Sequence, residues 1–329
     1  MNHCKAYTGI DYFRFVAAFL VIAIHTSPLS IYTETGDFIL TRIIARVAVP
    51  FYFMTSGFFL VSRYAYNTDK LKAFLKKTTF IYGCSIAIYI PLNIYNHYFL
   101  MDHLLPNMIK DIFFDGTMYH LWYLPASMIG AAIAWFLVRK AGFKKAFIIT
   151  LLFYIIGIFG DSYYGLIDHV PLLKSMYGYM FEVFDYTRNG IFFAPVFFVL
   201  GGIIADRVTG ISLKMSMIGL SISVFLMLGE GMLLHIFELQ RHDSMYFSLL
   251  PCMYFLFRVL IFWRGQRKEI LRTSALVIYI LHPMMIVAVR MAAKILGLQA
   301  LLVENSCIHY LAVSVVSAVI SFFFCVSVI

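Results

Sequence analysis

The chain has 329 residues, 62% of them hydrophobic and 13% charged, with a mean hydropathy of +0.84. A water-soluble domain averages about 45–50% apolar and about 25% charged residues. The composition therefore excludes a soluble fold and predicts an all-α, polytopic bundle of about ten transmembrane helices. The net charge of +9 does not signal nucleic-acid binding, because the basic residues fall in alternate loops, a pattern that orients a membrane protein.

Apolar runs predict spans near 10–31, 43–62, 78–96, 118–138, 146–160, 190–205, 213–233, 245–263, 274–291 and 308–329, the fifth and sixth being the shortest. With the N-terminus placed in the cytoplasm, sixteen of the 26 Lys and Arg residues fall inside and eight outside, and Arg14 and Arg258 lie within spans near the inner surface. The inner group recurs loop after loop, from Lys5 and Arg63 through Lys70, Lys72, Lys76 and Lys77 to Arg139, Lys140, Lys144 and Lys145. Arg207, Lys214, Arg264, Arg267, Lys268 and Arg272 complete it. That bias predicts cytoplasmic N- and C-termini in a multi-pass plasma-membrane protein. The first run carries Arg14 and His25 and reads as a resident helix rather than a cleaved signal. The last run reaches Ile329 with no basic flank, which fits a chain that ends there and, at least as well, a longer chain whose further part would be cytoplasmic. The long outer segment 161–189 is rich in Tyr and Phe and is expected to pack against the outer face. Cys4, Cys84, Cys252, Cys307 and Cys325 show no C-x-x-C pairing and read as inert buried thiols.

The chemistry concentrates on the first span, GIDYFRFVAAFLVIAIH. Arg14 and His25 are eleven residues apart, which on a helix is three turns plus about 20° and a rise of about 16 Å, so both project from one face. An arginine at the membrane surface then puts the imidazole near the middle of a hydrocarbon core about 30 Å thick, where a titratable group is costly unless it has partners and a task. His25 suits a general base that takes a proton from an acceptor hydroxyl or amine. Arg14 suits a clamp for a phosphate or carboxylate. The alternative is that Arg14, paired with Asp11, anchors the inner boundary while His25 bonds a neighbouring helix.

The second span carries Arg46 at its outer end, able to neutralise an anionic substrate, then Pro50 and the Ser56-Gly57 pair, which can bend or open the helix. A packing helix with a small-residue contact explains the same residues. His120 and Trp122 open the fourth span, either as an interfacial aromatic belt or as part of a site. In the ninth, Tyr279 and His282 precede Pro283. Counted from Ser274, His282 is about 12 Å deep, close to the level of His25. The two imidazoles either line one cavity or make separate packing contacts. Glu230, His235 and Arg258 each sit near a span end, within reach of water. Gly201-Gly202 reads as close helix packing. The ten histidines show no i, i+3 or i+4 pairing within a span, so no metal site is predicted.

Arg14-x10-His25, Arg46…Pro50…Ser56-Gly57-Phe58, His120-Leu-Trp122-Tyr123-Leu and Tyr279…His282-Pro283 together resemble the acyltransferase-3 family of ten-span membrane acyltransferases, over essentially the whole chain. The resemblance implies transfer of an acyl group from cytoplasmic acyl-CoA to an acceptor at the outer face, with His25 catalytic and Arg14 its partner. Asp11, Arg46, Ser56, His120, Trp122, Tyr279 and His282 are then candidates for binding substrate. The stretches GIDYFRFVAAFLVIAIHTSP, RNGIFFAPVFFVLGG and LRTSALVIYILHPMMI look most like the membrane modules of the serine racemases of vancomycin resistance within that family. This likeness implies a covalently linked cytoplasmic racemase domain, which would hold the pyridoxal phosphate, and no such cofactor in this part. It also leaves open L-serine uptake without acyl transfer, Arg46 or Arg14 holding the carboxylate, and a plain membrane anchor. The partners expected are the lipid bilayer and a small molecule, acyl-CoA or L-serine, and no nucleic acid.

Overall fold

The computed structural model describes residues 6–61, 68–208 and 210–328. Cys4, Lys5, Arg63 and Ile329 lie outside the described residues. Among the described residues the chain forms helices and no named strand; Ala6 and Gly265 make an isolated antiparallel bridge. The α-helices are α1 (Thr8–Thr26), α2 (Glu34–Phe38), α3 (Ala48–Leu60), α4 (Thr68–Tyr95), α5 (Leu104–Lys110), α6 (Tyr123–Phe159) and α7 (Tyr164–Asp168). They continue with α8 (Pro171–Val183), α9 (Ala194–Asp206), α10 (Leu213–Ile236), α11 (Leu249–Phe262), α12 (Glu269–Leu296) and α13 (Ser306–Val328).

Among the described residues, seven runs are long and apolar enough to cross a membrane: α1, the continuous run Glu34–Leu60, α4, α6, α10, α12 and α13. The shorter apolar helices α9 and α11 fall on the sixth and eighth expected spans. Helix α6, 37 residues long, merges the fourth and fifth, and breaks at Gly142 with φ 74° and ψ 168°. Only glycine takes such a φ without penalty. Arg139, Lys140, Lys144 and Lys145 surround the break, which suits a turn in water between two legs.

The ends of the elements differ from the periodicity in two instructive places. Helix α1 stops at Thr26 rather than continuing to residue 31, because Pro28 disfavours helical backbone at the residue before it and Ser27 turns left-handed, its N–H bonding the Ala23 carbonyl. The second run begins at Glu34, capped by the Thr33 hydroxyl on the Gly36 N–H. It then passes through a π-turn (Ile39–Ile43) and a 3-10 turn (Ile44–Val47) before α3. Pro50 lacks an N–H and its ring crowds the carbonyl four residues back, that of Arg46. The irregular backbone therefore sits where the proline demands it.

The chain divides into two compact units. The first comprises residues 1–52, 211–232 and 248–329. In it α1 packs against α11, α12 and α13, and Ala18 and Ile22 share a core with Ala275, Ile278, Met285, Ile286, Val289 and Val313. The second comprises residues 53–210 and 233–247. There α6 packs against α4 and α9, and α3 meets α9 at two glycines. A Cβ on Gly57 would fall on the Phe198 carbonyl, and one on Gly201 on that of Met54. Lipid is as apolar as leucine, so such close backbone approach is what favours helix contact in a membrane. Segment 161–189 folds onto the C-terminal end of α6, where the Tyr177 hydroxyl donates to the Ile156 carbonyl (2.7 Å) and Thr187 to Gly157 (2.8 Å). The thiols are less uniform than expected: Cys252 and Cys325 are buried, but Cys84 is exposed on α4.

Candidate functional site

The first unit holds Asp11, Arg14, His25, Arg46, Tyr279 and His282; Ser56, His120 and Trp122 belong to the second. Along α1 the order Arg14, Ala18, Ile22, His25 advances by four, four and three residues, which keeps all four side chains within about 80° of one another. Ala18 and Ile22 are buried in the core with α12, so Arg14 and His25 share the side of α1 that faces α12.

At the start of this row the Arg14 guanidinium pairs with Asp11 (Nη1–Oδ1, 2.9 Å). Asp11 is buried, and its second oxygen accepts the backbone N–H of Lys268 (3.2 Å), just before α12 begins. The Tyr52 hydroxyl of α3 donates to the Arg14 carbonyl (2.7 Å). Lys268 and Tyr52 carried no signal in the sequence, since nothing local predicts which distant segment meets α1.

At the far end His25 stacks on His282, ring centroids 5.2 Å apart and planes inclined by 24°. His282 is fully buried. Its Nδ1 lies 2.9 Å from the Tyr279 carbonyl. A carbonyl only accepts, so Nδ1 carries a hydrogen. The buried ring of Tyr279 lies 6.4 Å from that of His282. Because α12 is 28 residues long and His282 is its fourteenth residue, the pair sits close to the middle of a helix about 42 Å long.

Arg46 is placed differently from expectation. The second run starts well before residue 43, so Arg46 lies in its middle rather than at its outer end. It is 7% exposed, on the 3-10 turn that packs against α1 and α11. Arg258 likewise does not reach water: it is 1% exposed and its Nη2 donates to the Ile211 carbonyl (3.2 Å). A guanidinium taken from water needs such acceptors.

In the second unit, Ser56 is half-buried on α3 beside the tight Gly57 contact. His120 and Trp122 precede α6 rather than opening it, and both are buried. Trp122 lies against Phe53 and Phe193, with the Arg188 guanidinium 5.1 Å over its ring. His120 meets Tyr89 edge-on. The pair therefore forms packed interior, where an interfacial belt faces lipid headgroups.

The second unit also contains a set the sequence did not single out, at the loop ends of α6 and α10. Buried Asp161 accepts from the Ser162 hydroxyl (2.9 Å) and from the backbone N–H groups of Ser244 (2.7 Å) and Met245 (3.0 Å). Its other oxygen lies 3.5 Å from His242 Nδ1, which also meets the Ser244 hydroxyl at 2.7 Å. Nearby, burial first and Asp185 next push the Asp115 carboxyl up to about 6, although its bond from the Asp185 N–H and the charge of Lys110 hold it down.

A family model described as an acyltransferase domain, that of acyltransferase 3, matches residues 7–328. Two proteins of Enterococcus faecalis, each named amino-acid racemase, are 56% identical over 98% of this chain and 39% identical over 95% of it. A serine/alanine racemase of Enterococcus gallinarum is 33% identical over 94% of the chain. The chain spans about half the length of these curated relatives, 45%, 45% and 44% respectively. No solved structure matches. With its apolar helical spans and a family match over almost its whole length, the chain belongs to the acyltransferase-3 family of membrane proteins.

Proposed function

We propose that this chain is the membrane-embedded acyltransferase module of a longer amino-acid racemase, and that His25 is the general base of an acyl transfer from acyl-CoA. The observation that carries the reading is the row on α1, a cationic Arg14 and a stacked His25 on one side of the helix. His25 would take the proton of an acceptor hydroxyl or amine as that atom attacks the thioester carbonyl. The CoA thiolate leaves and recovers the proton from the imidazolium, so the ring ends neutral. Arg14 would hold a phosphate of the coenzyme at the end of the row where Asp11 and Tyr52 fix its position. Buried Arg46, Tyr279 and His282 would shape the binding cavity. The orientation implied is the one the basic loops favour, with both termini in the cytoplasm of the plasma membrane.

The test is a reconstituted assay in liposomes. Acyl-CoA hydrolysis or transfer that disappears in His25→Ala, with helicity and thermal midpoint kept, is the expected result. Equal turnover in wild type and variant would remove His25 from the chemistry.

One observation favours a second reading, uptake of L-serine for a cytoplasmic racemase domain: the relatives are named as racemases and are about twice as long as this chain. Here Arg14 or Arg46 would bind the amino-acid carboxylate, and no covalent step would occur. Saturable serine uptake that needs no CoA and survives in vesicles lacking any acyl donor would favour this carrier over the enzyme.

A further inference from the structure

Helix α8 presents three different sectors around its axis. Tyr177 is buried and Phe181 half-buried, and the Tyr177 hydroxyl bonds the Ile156 carbonyl of α6, so this sector faces the protein. Lys174, Ser175, Gly178 and Glu182 are exposed and, at 100° per residue, lie between about 60° and 160° around the helix from Leu172, which begins the next sector. Lys174 pairs there with Asp168 of α7 (2.8 Å), an arrangement suited to water. The third sector is a row of large apolar side chains, Leu172, Met176, Tyr179 and Val183, spaced four, three and four residues apart. They are 72%, 54%, 71% and 54% exposed.

We infer that this row is a membrane-contact surface and that α8 lies in the boundary between headgroups and acyl chains on the side of the membrane reached by the C-terminal end of α6. Two observations favour lipid over another occupant. First, α8 is tied to a leg of α6 whose own exposed side chains are apolar. Ile156, whose carbonyl holds Tyr177, ends an exposed apolar stripe, Ile148, Leu152 and Ile156, on the second leg of α6. Second, four side chains in a single row offer on the order of a few hundred Å², less than the roughly 800 Å² per partner of a stable protein interface. A short helix with one apolar edge, one watery edge and a tyrosine between them matches the interfacial pattern. The inference does not depend on what His25 does.

The test is a spin-label scan of the full chain in lipid nanodiscs, in a background with its native cysteines replaced. Labels at Leu172→Cys, Met176→Cys, Tyr179→Cys and Val183→Cys should favour oxygen, which partitions into lipid, severalfold over a water-soluble nickel chelate. Labels at Lys174→Cys, Gly178→Cys and Glu182→Cys should show the opposite preference. These positions are exposed, so labelling leaves the fold intact, and each variant's circular dichroism checks this. Preference for the chelate at all seven positions would overturn the inference, as would dipolar broadening between copies along the apolar row. The latter outcome would make the row a protein interface instead.

Discussion

The two units each bury ionisable groups, and the contrast between them shows why residue identity is a poor guide to chemistry. In the second unit Asp161, His242 and Ser244 are the three residue types of a hydrolytic triad. Their geometry denies that role: Ser244 and Asp161 both approach Nδ1 of the same imidazole, whereas a relay needs one partner on each ring nitrogen. Asp161 Oδ1 is taken up by two backbone N–H groups and a hydroxyl, so the carboxylate pins residues 242–245 to the end of α6. In the first unit the polar groups are spread along one side of an apolar helix, and His25 meets another imidazole that comes from 257 residues away. The Asp161 set holds a loop; the His25–His282 pair stacks two imidazoles where α1 packs on α12.

If that contrast is correct, His25→Ala should lower acyl transfer by about 10²- to 10⁴-fold, the usual contribution of a general base, while the thermal midpoint stays put. Asp161→Ala should do the reverse. It strands two backbone N–H groups, which costs about 2–4 kcal/mol, so protein yield and melting temperature fall and turnover per folded molecule holds. A smaller effect is expected from Arg14→Gln: about a tenfold rise in KM for the acyl donor, read from initial rates, with kcat little changed, because a charge-assisted contact of this kind contributes about 1.4 kcal/mol or more.

The smallest effect concerns pH and the loop side of the second unit. Asp115 is half-buried with its carboxyl raised to about 6. Its protonated form is thus favoured in the folded state, and stability should fall as pH rises from about 4 to about 6 and stay lower above that. Thermal unfolding in detergent should show a midpoint a few degrees higher at pH 5 than at pH 7. In Asp115→Asn that difference should shrink; an unchanged slope would assign it to other groups.

Much of the fold could be read directly. Each of the ten expected runs contains helix, although among the described residues seven helical runs are long and apolar enough to cross a membrane, and the alternation of basic loops separates the two legs of α6 on either side of Gly142. The ends were less legible. The stop at Thr26 depends on Pro28, and the opened backbone before α3 on Pro50; each proline is visible in the sequence, but how far its disturbance spreads depends on what packs beside it. Arg258 illustrates the limit. Its position within span eight suggested contact with water, yet the neighbouring backbone turns the Ile211 carbonyl toward it and the guanidinium stays inside.

The sequence by itself determined the membrane class, the helical runs, the family, and the common face of Arg14 and His25, since composition and a 3.6-residue period are local properties. Only the tertiary structure decided that His282 meets His25, that Lys268 and Tyr52 hold the Asp11–Arg14 end, and that Asp161 closes a loop. Those contacts join residues 38 to 257 positions apart. They follow from which helix faces pack together, a choice made by the sum of many side-chain contacts and written in no single stretch of chain.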